Sequence, residues 1–249
     1  MKTLTKYLNE KLVVNKDYND PHTCAPKSFN ELRWIIEDRY VKFGCGTKDK
    51  PVEFNDVDVS NIDSFYNKNN DMGIFQRVTF EYIDISYWDV SNVKDMSFMF
   101  YNCKQLKYIG DLSNWNVSKV EDMMSMFYGC AQLTSVGDLS NWNVTDARNM
   151  NSIFYGCEQL KSIGDLSDWD VSNVKNMFAM FCDCINLKSI GDLSNWNVSK
   201  VEDMMSMFYA CKQLNAVGDL SKWNISKVKD MSYMFNKSGI TNIPNWYKK

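Results

Sequence analysis

Within residues 106–127 the apolar positions fall at Leu106, Ile109, Leu112 and Trp115, then at Val117, Val120, Met123, Met126 and Phe127, mostly every third residue. That spacing is neither the strict alternation of a half-buried strand nor the 3.6-residue stripe of a long amphipathic helix. It suits a chain that bends continuously around an interior. The pattern predicts a short parallel strand over residues 107–112 and its equivalents, because the run is β-compatible and ends in a turn-prone Ser-Asn pair. A second short extended piece is expected over 115–117. The return side, VEDMMSMFYGC, predicts one or two helical turns, with Asp122 accepting from the first free amides. Asp95, Asp122, Asn149, Asn176, Asp203 and Asp230 share that position, so hydrogen bonding rather than charge is what the position demands.

The pattern repeats. DLSNWNVSKVEDMMSMFYGC begins at residue 111 and recurs at 192 with Gly129 replaced by Ala210, and versions at 138 and 165 divide the interval into steps of 27. Trp88, Trp115, Trp142, Trp169, Trp196 and Trp223 keep that step, as do Phe100 to Phe235, Met96 to Met231 and Cys103 to Cys211. A fixed period of this size predicts an α/β solenoid of 27-residue coils, right-handed, with short parallel strands and short helical turns, in which equivalent side chains stack. One coil has too little core to persist alone, so the ends need covers.

PKSFNELRWIIEDRYVKFG predicts a helix over 29–43: Ser28 and Glu31 form a capping box, Phe29, Leu32, Ile36, Tyr40 and Phe43 share a face, and Gly44 stops it. The organisation read from these signals is a leader or amphipathic segment (1–25), an N-terminal cap with the helix and a degenerate first coil (26–78), the repeat solenoid (79–235) and a C-terminal cap (236–249). In the last segment Pro244 and the closing lysines are expected to block another strand from adding.

Charge and composition narrow the function. With 28 basic and 31 acidic residues the formal charge is −3, and no basic run or patch suits a nucleic-acid backbone or an anionic membrane. The first residues contain no apolar run of signal-peptide type, and no segment is long and apolar enough for a membrane span. A cytoplasmic location is the default expectation, with association with a virion or non-classical display at a cell surface as alternatives, and the thiols are expected to be reduced.

The phrase F-x-x-C-x-x-L-x-x-I/V followed by D-L-S-x-W-[ND]-V-S-x-V-x-[DN]-M resembles the BspA-like leucine-rich repeat proteins, and among them the DUF285 branch, over about residues 80–235. The resemblance implies a leucine-rich-repeat-like solenoid and adhesion or protein binding. The leader MKTLTKYLNEKLVVN is similar to capsid-targeting leaders of internal proteins of tailed phages, which implies processing at Leu8-Asn9-Glu10 with Lys11 as the new first residue. The alternative for that leader is an amphipathic helix with Leu4, Leu8 and Leu12 packed on the body.

The Cys column, three residues from both Phe and Leu, reads as a buried ladder rather than a set of disulfides. Cys182, which stands where other units have Tyr, is expected to be the most exposed thiol. His22, Cys24 and Cys45 lack a fourth ligand and a standard metal spacing, so no metal or other cofactor is expected. Asn116, Asn143, Asn197 and Asn224 open N-x-S/T triplets, but Asp89 and Asp170 at the same position mark it as a turn. Asp111, Asp138, Asp165, Asp192 and Asp219 form a carboxylate column whose repulsion backbone amides and Lys107, Lys161 and Lys188 are expected to offset, a bound divalent cation being the second reading. The Trp column is expected to be partly buried. The Tyr column at Tyr101, Tyr128, Tyr155 and Tyr209 is the better candidate for an exposed ligand surface. Repeated carboxylates in one column lack the opposed geometry of an acid/base pair, so the sequence points away from an enzyme. It points to a monomeric interaction module for a protein or glycan, with a virion structural or internal protein as the alternative.

Overall fold

The computed structural model describes residues 25–248. Helix α1 spans Phe29–Phe43, with Ser28 Oγ accepting from the Glu31 amide at 3.3 Å and the Gly44 amide closing on Tyr40 O. The Glu31 carboxylate returns to the Lys27 amide at 2.7 Å, one residue before the position a capping box uses. Leu32 and Ile36 are fully buried, and Arg33 reaches under the helix to Ile74 O at 2.6 Å. Phe43, expected on the same face, is 63% exposed, because it borders the open groove between the end of the helix and residues 51–53 instead of packing on the coil.

Four short strands occupy the first coils: β1 (Val52–Glu53), β2 (Tyr66–Asn67), β3 (Met72–Gly73) and β4 (Ile83–Asp84). β1 pairs with β4 in parallel, Val52 opposite Ile83, while β2 and β3 form a hairpin, Tyr66 opposite Gly73.

Beyond β4 the described chain forms a solenoid without extended strands. Isolated parallel bridges join Asp95 to Asp122, Asp122 to Asn149, Asn149 to Asn176, Asn176 to Asp203 and Asp203 to Asp230. The predicted strand at 107–112 is not formed: the bridge of Tyr82 to Tyr108 and scattered links take its place, among them the Lys107 amide to Glu81 O (2.7 Å), the Ile83 and Ile85 amides to Tyr108 O and Ile109 O (3.0 and 3.2 Å) and the Leu112 amide to Val136 O (3.1 Å). The piece at 115–117 is likewise no strand, and two 3₁₀ turns, Leu193–Asn195 and Leu220–Lys222, are the helical content of the array.

The coil-to-coil ladder lies instead on VEDMMSMFYGC, where helical turns were expected. The amides of Met123, Ser125, Phe127 and Gly129 donate to Asn149 O, Asn151 O, Ile153 O and Tyr155 O of the next coil, at 2.7–3.0 Å. Intervening amides close tight turns within the coil, from Met126 to Met123 O, Tyr128 to Ser125 O and Cys130 to Phe127 O. Left-handed backbone at Ser125 (φ 55°) and Gly129 (φ 70°), repeated at Ser152, Gly156, Ala179, Asp183, Ser206 and Ala210, excludes both helix and strand. It also sends successive ladder amides the same way along the solenoid axis.

Columns of side chains fill the interior. Phe100, Phe127, Phe154, Phe181 and Phe208 are fully buried, with neighbouring rings 5.4–5.9 Å apart and nearly parallel. Each Trp of the array is buried and satisfies its indole N–H on a carbonyl of the preceding coil, Trp142 on Leu112 O and Trp169 on Leu139 O, both at 2.9 Å. Cys130, Cys157 and Cys184 turn their thiols to Phe carbonyls one coil back, at 3.0–3.2 Å, and the buried ladder contains no disulfide among the described residues. At the C-terminal end Trp246 stacks on Trp223 at 6.3 Å and Tyr247 meets Phe235 edge-on at 5.1 Å.

Candidate functional site: the ladder face

The turns that build the ladder alternate buried and outward positions. In one coil Met123, Met126 and Phe127 enter the core, while Met124 and Tyr128 stay half-buried on the outside. Since coils stack in register, the outward tyrosines stack too: Tyr101 lies 4.9 Å from Tyr128, and Tyr128 lies 4.6 Å from Tyr155, with ring planes within 22° and 11°. At the N-terminal end Phe98 meets Tyr101 at 5.3 Å and Tyr66 at 5.3 Å, so the stripe runs one coil further than the Tyr column alone. Those two residues were missed; the FYN of residues 65–67, matching FYN at 100–102, was the available signal for Tyr66, whereas Phe98 stands where later coils have Ser125, Ser152 and Ala179 and had none.

Tyr209 stands apart from this stack. Cys182 occupies the place between, and Tyr209 takes Lys237 as its neighbour, with the ammonium 4.9 Å from the ring centroid and 2.5 Å from the hydroxyl. Cys182 is only 4% exposed, contrary to expectation. A thiol is much shorter than the phenol it replaces and ends below the surface, beside the Asp183 carboxylate (3.7 Å) and the Tyr155 hydroxyl. Burial, and then the Asp183 charge, push its pKa up to about 12, which keeps it protonated and a poor nucleophile. Cys45, half-buried, is the more accessible thiol. Burial likewise raises the Tyr155 hydroxyl to about 12.

The Asp column has a structural task. Asp111, Asp138, Asp165, Asp192 and Asp219 each accept the amide two residues on, at 2.9–3.0 Å, forming a turn closed by the side chain. The same oxygen faces a glycine of the next coil: a Cβ on Gly164 would lie 1.9 Å from Asp138 Oδ1, and one on Gly191 would lie 1.8 Å from Asp165 Oδ1. The Ser167 hydroxyl and amide hold Asp165 below the usual carboxylate range, and the Ser221 amide and hydroxyl do so for Asp219. Lys107 pairs with Glu81 at 2.6 Å, and neither Lys161 nor Lys188 forms an ion pair with the column among the described residues. Backbone amides and serine hydroxyls two residues on therefore carry the offset. Among the described residues no three His, Cys, Asp or Glu side chains converge as metal ligands.

A groove of about 950 Å³ lies between the end of α1 and β1, lined in part by Arg39, Phe43, Cys45 and Glu53. Its guanidinium is already engaged, bidentate to Asp56 at 2.7 Å and bonded to Glu53 O. Leu8, Glu10 and Lys11, the processing residues, and His22 and Cys24 lie outside the described residues. No helix among the described residues is long and apolar enough to cross a membrane.

The family model described as "Mycoplasma protein of unknown function, DUF285" matches residues 69–188 and again 137–246. The chain belongs to the DUF285 family. Its matched region takes in the bridges from Asp95 to Asp230 and most of the aromatic stripe. Among solved structures, this DUF285 chain is similar to a leucine-rich repeat protein from Eubacterium ventriosum ATCC 27560, at 17% identity and a TM-score of 0.47, over 77% of this chain and 44% of that one. It is also similar to the T. pallidum leucine-rich repeat protein TpLRR, at 17% identity and a TM-score of 0.31, over 68% and 73% of the two chains. The DUF285 chain thus spans less than half the length of the first of these relatives. No curated protein sequence matches it.

Proposed function

We propose that this chain is a non-enzymatic interaction module, a right-handed solenoid of 27-residue coils under a helical cap, and that it binds a protein partner through the ladder face. The observation that carries this reading is the aromatic stripe of Tyr66, Phe98, Tyr101, Tyr128 and Tyr155. Sugar recognition by aromatic side chains uses an open ring face, and here Tyr128 is stacked on both faces, Tyr101 has Phe98 as its other neighbour and Tyr155 has Cys182 beside its hydroxyl. What they offer outward is a row of ring edges and hydroxyls beside half-buried Met124 and Phe178, amphipathic surface of the kind enriched in protein interfaces. The raised thiol pKa values and the engagement of each array Asp in its own turn support a role without catalysis.

The test compares the full chain with a Tyr101→Ser/Tyr128→Ser/Tyr155→Ser variant, checked for folding by circular dichroism, in capture from an extract of the source organism and on a glycan array. A saturable protein ligand lost in the variant is expected. Glycans bound by the parent chain and lost in the variant would overturn the protein assignment.

A further inference from the structure

The ladder has a direction, and among the described residues the direction leaves one end unsatisfied. In the coil at 203–210 the amides of Met204, Ser206, Phe208 and Ala210 donate to Asp230 O, Ser232 O, Met234 O and Asn236 O, at 2.8–2.9 Å. The equivalent amides one coil on, those of Met231, Tyr233, Phe235 and Lys237, have no acceptor among the described residues. The side chains beside them tell the same story. Val198, Val201 and Met204 are 0–1% exposed, whereas their counterparts Ile225, Val228 and Met231 are only partly covered, and Tyr233 is 54% exposed. Residues 240–247 do cap this end, but over another sector: Trp246 lies on Trp223 and Tyr247 on Phe235. The block expected from Pro244 and the closing lysines thus covers only part of the edge among the described residues.

Charge indicates what fits the open half. Residues 220–248 contain Lys222, Lys227, Lys229, Lys237 and Lys248 against the single carboxylate of Asp230. Along the column that ends at Lys229, an acid of one coil meets a base of the next: Glu121 with Arg148 at 3.1 Å, and Glu202 with Lys229 at 2.5 Å. A row of backbone N–H groups adds partial positive charge of its own. We propose that this edge is a docking site for an extended acidic segment of another polypeptide, whose carbonyls accept from Met231, Tyr233 and Lys237 and whose carboxylates meet Lys227 and the exposed side of Lys229, which it shares with Glu202. Such strand addition takes its affinity from main-chain bonds and its selectivity from the flanking side chains. A second folded copy is poorly suited, because the acceptor end of the array is covered: Phe65 and Phe75 already donate to Asp95 O and Met99 O, and Gly73 packs against Phe98 O.

The probe is a fluorescein-labelled, end-blocked peptide with the sequence of residues 201–210, VEDMMSMFYA, whose carbonyls accept from Met177, Ala179, Phe181 and Asp183 at the equivalent edge two coils earlier. Fluorescence anisotropy with the full chain should show saturable binding, and NMR hydrogen exchange should show new protection at the amides of Met231, Tyr233 and Lys237. A Lys227→Glu/Lys229→Glu variant, or a peptide with Lys in place of its two acids, should bind roughly three- to tenfold more weakly, the range of one or two partly exposed ion pairs. No saturable binding, binding without protection of those amides, or indifference to both charge changes would each overturn the proposal. So would protection of the same amides by concentration-dependent dimerisation without peptide, which would assign the edge to a second copy.

Discussion

Asp122 shows how a single position in this array balances two demands. Its carboxylate accepts the Met124 amide at 2.9 Å and the Asn149 side-chain amide at 3.3 Å, yet burial, with the Asp95 charge contributing, raises its pKa above the ordinary value. At the same position Asn149 and Asn176 make the same backbone contact, to the amides of Asn151 and Phe178. Asp122→Asn therefore keeps the acceptor for the Met124 amide, gives up the longer contact to Asn149 and removes a charge whose ionisation folding disfavours. The variant is expected to be more stable at neutral pH by about 0.5 kcal/mol, the scale of a like-charge pair across neighbouring strands. A carboxyl with a raised folded pKa destabilises above that pKa, so the advantage should vanish as acid protonates the parent residue. Urea unfolding of both proteins at neutral pH and at about pH 3, below the ordinary Asp pKa, measures it. A gain that persists in acid would show that charge is not its source.

At the scale of the element, the unit of this fold is a chain of turns rather than a strand or a helix. Glycines in the turns carry unequal burdens. Gly164 sits at φ 91° with Asp138 Oδ1 where its Cβ would be, whereas Gly156 sits at φ 69° with nothing nearer than 3.6 Å, and its counterpart Ala210 already has a side chain. Gly164→Ala should cost roughly 2 kcal/mol or more, from left-handed strain plus a displaced carboxylate, and Gly156→Ala less than about 1 kcal/mol. Guanidinium unfolding of the two variants gives the comparison. Equal losses would mean that the Asp-to-Gly contact between coils contributes nothing.

At the scale of the whole molecule, stability depends on stacking and hence on the ends. α1 buries Leu32 and Ile36 over the first coil, and Ile240, Trp246 and Tyr247 close half of the last. Deletion of residues 240–249 would uncover Trp223 and Phe235 while leaving the ladder of the last coil intact. Self-association is the expected result, read by size-exclusion chromatography with light scattering, because exposed apolar ends of a solenoid seek a substitute cap. An unchanged soluble monomer would remove these residues from the role of cap.

The sequence by itself determined the period, the stacking columns and the ends of α1, because each rests on local signals: a repeated spacing, a Ser-x-x-Glu start, a glycine stop. The buried Phe and Cys columns follow from the same spacing, whereas the Trp column, expected to be partly buried, is almost wholly buried because each indole N–H finds a carbonyl of the preceding coil inside the stack. Only the tertiary structure decided which side of the coil carries the ladder. That choice depends on which carbonyls face the neighbouring coil, and the left-handed residues that turn them, Ser125, Ser152, Ala179 and Ser206, have no local preference that marks them. The occupants of the companion position, Asn102, Gly129, Gly156 and Asp183, did spell left-handed backbone, and so argued against the helical turns expected there. Exposure at the site was settled the same way. Cys182 is buried because its neighbours are longer, and both faces of Tyr128 are closed because the coils on either side place an identical ring against it. Periodicity says which residues share a column; only the packed neighbours say which atoms of that column still meet solvent.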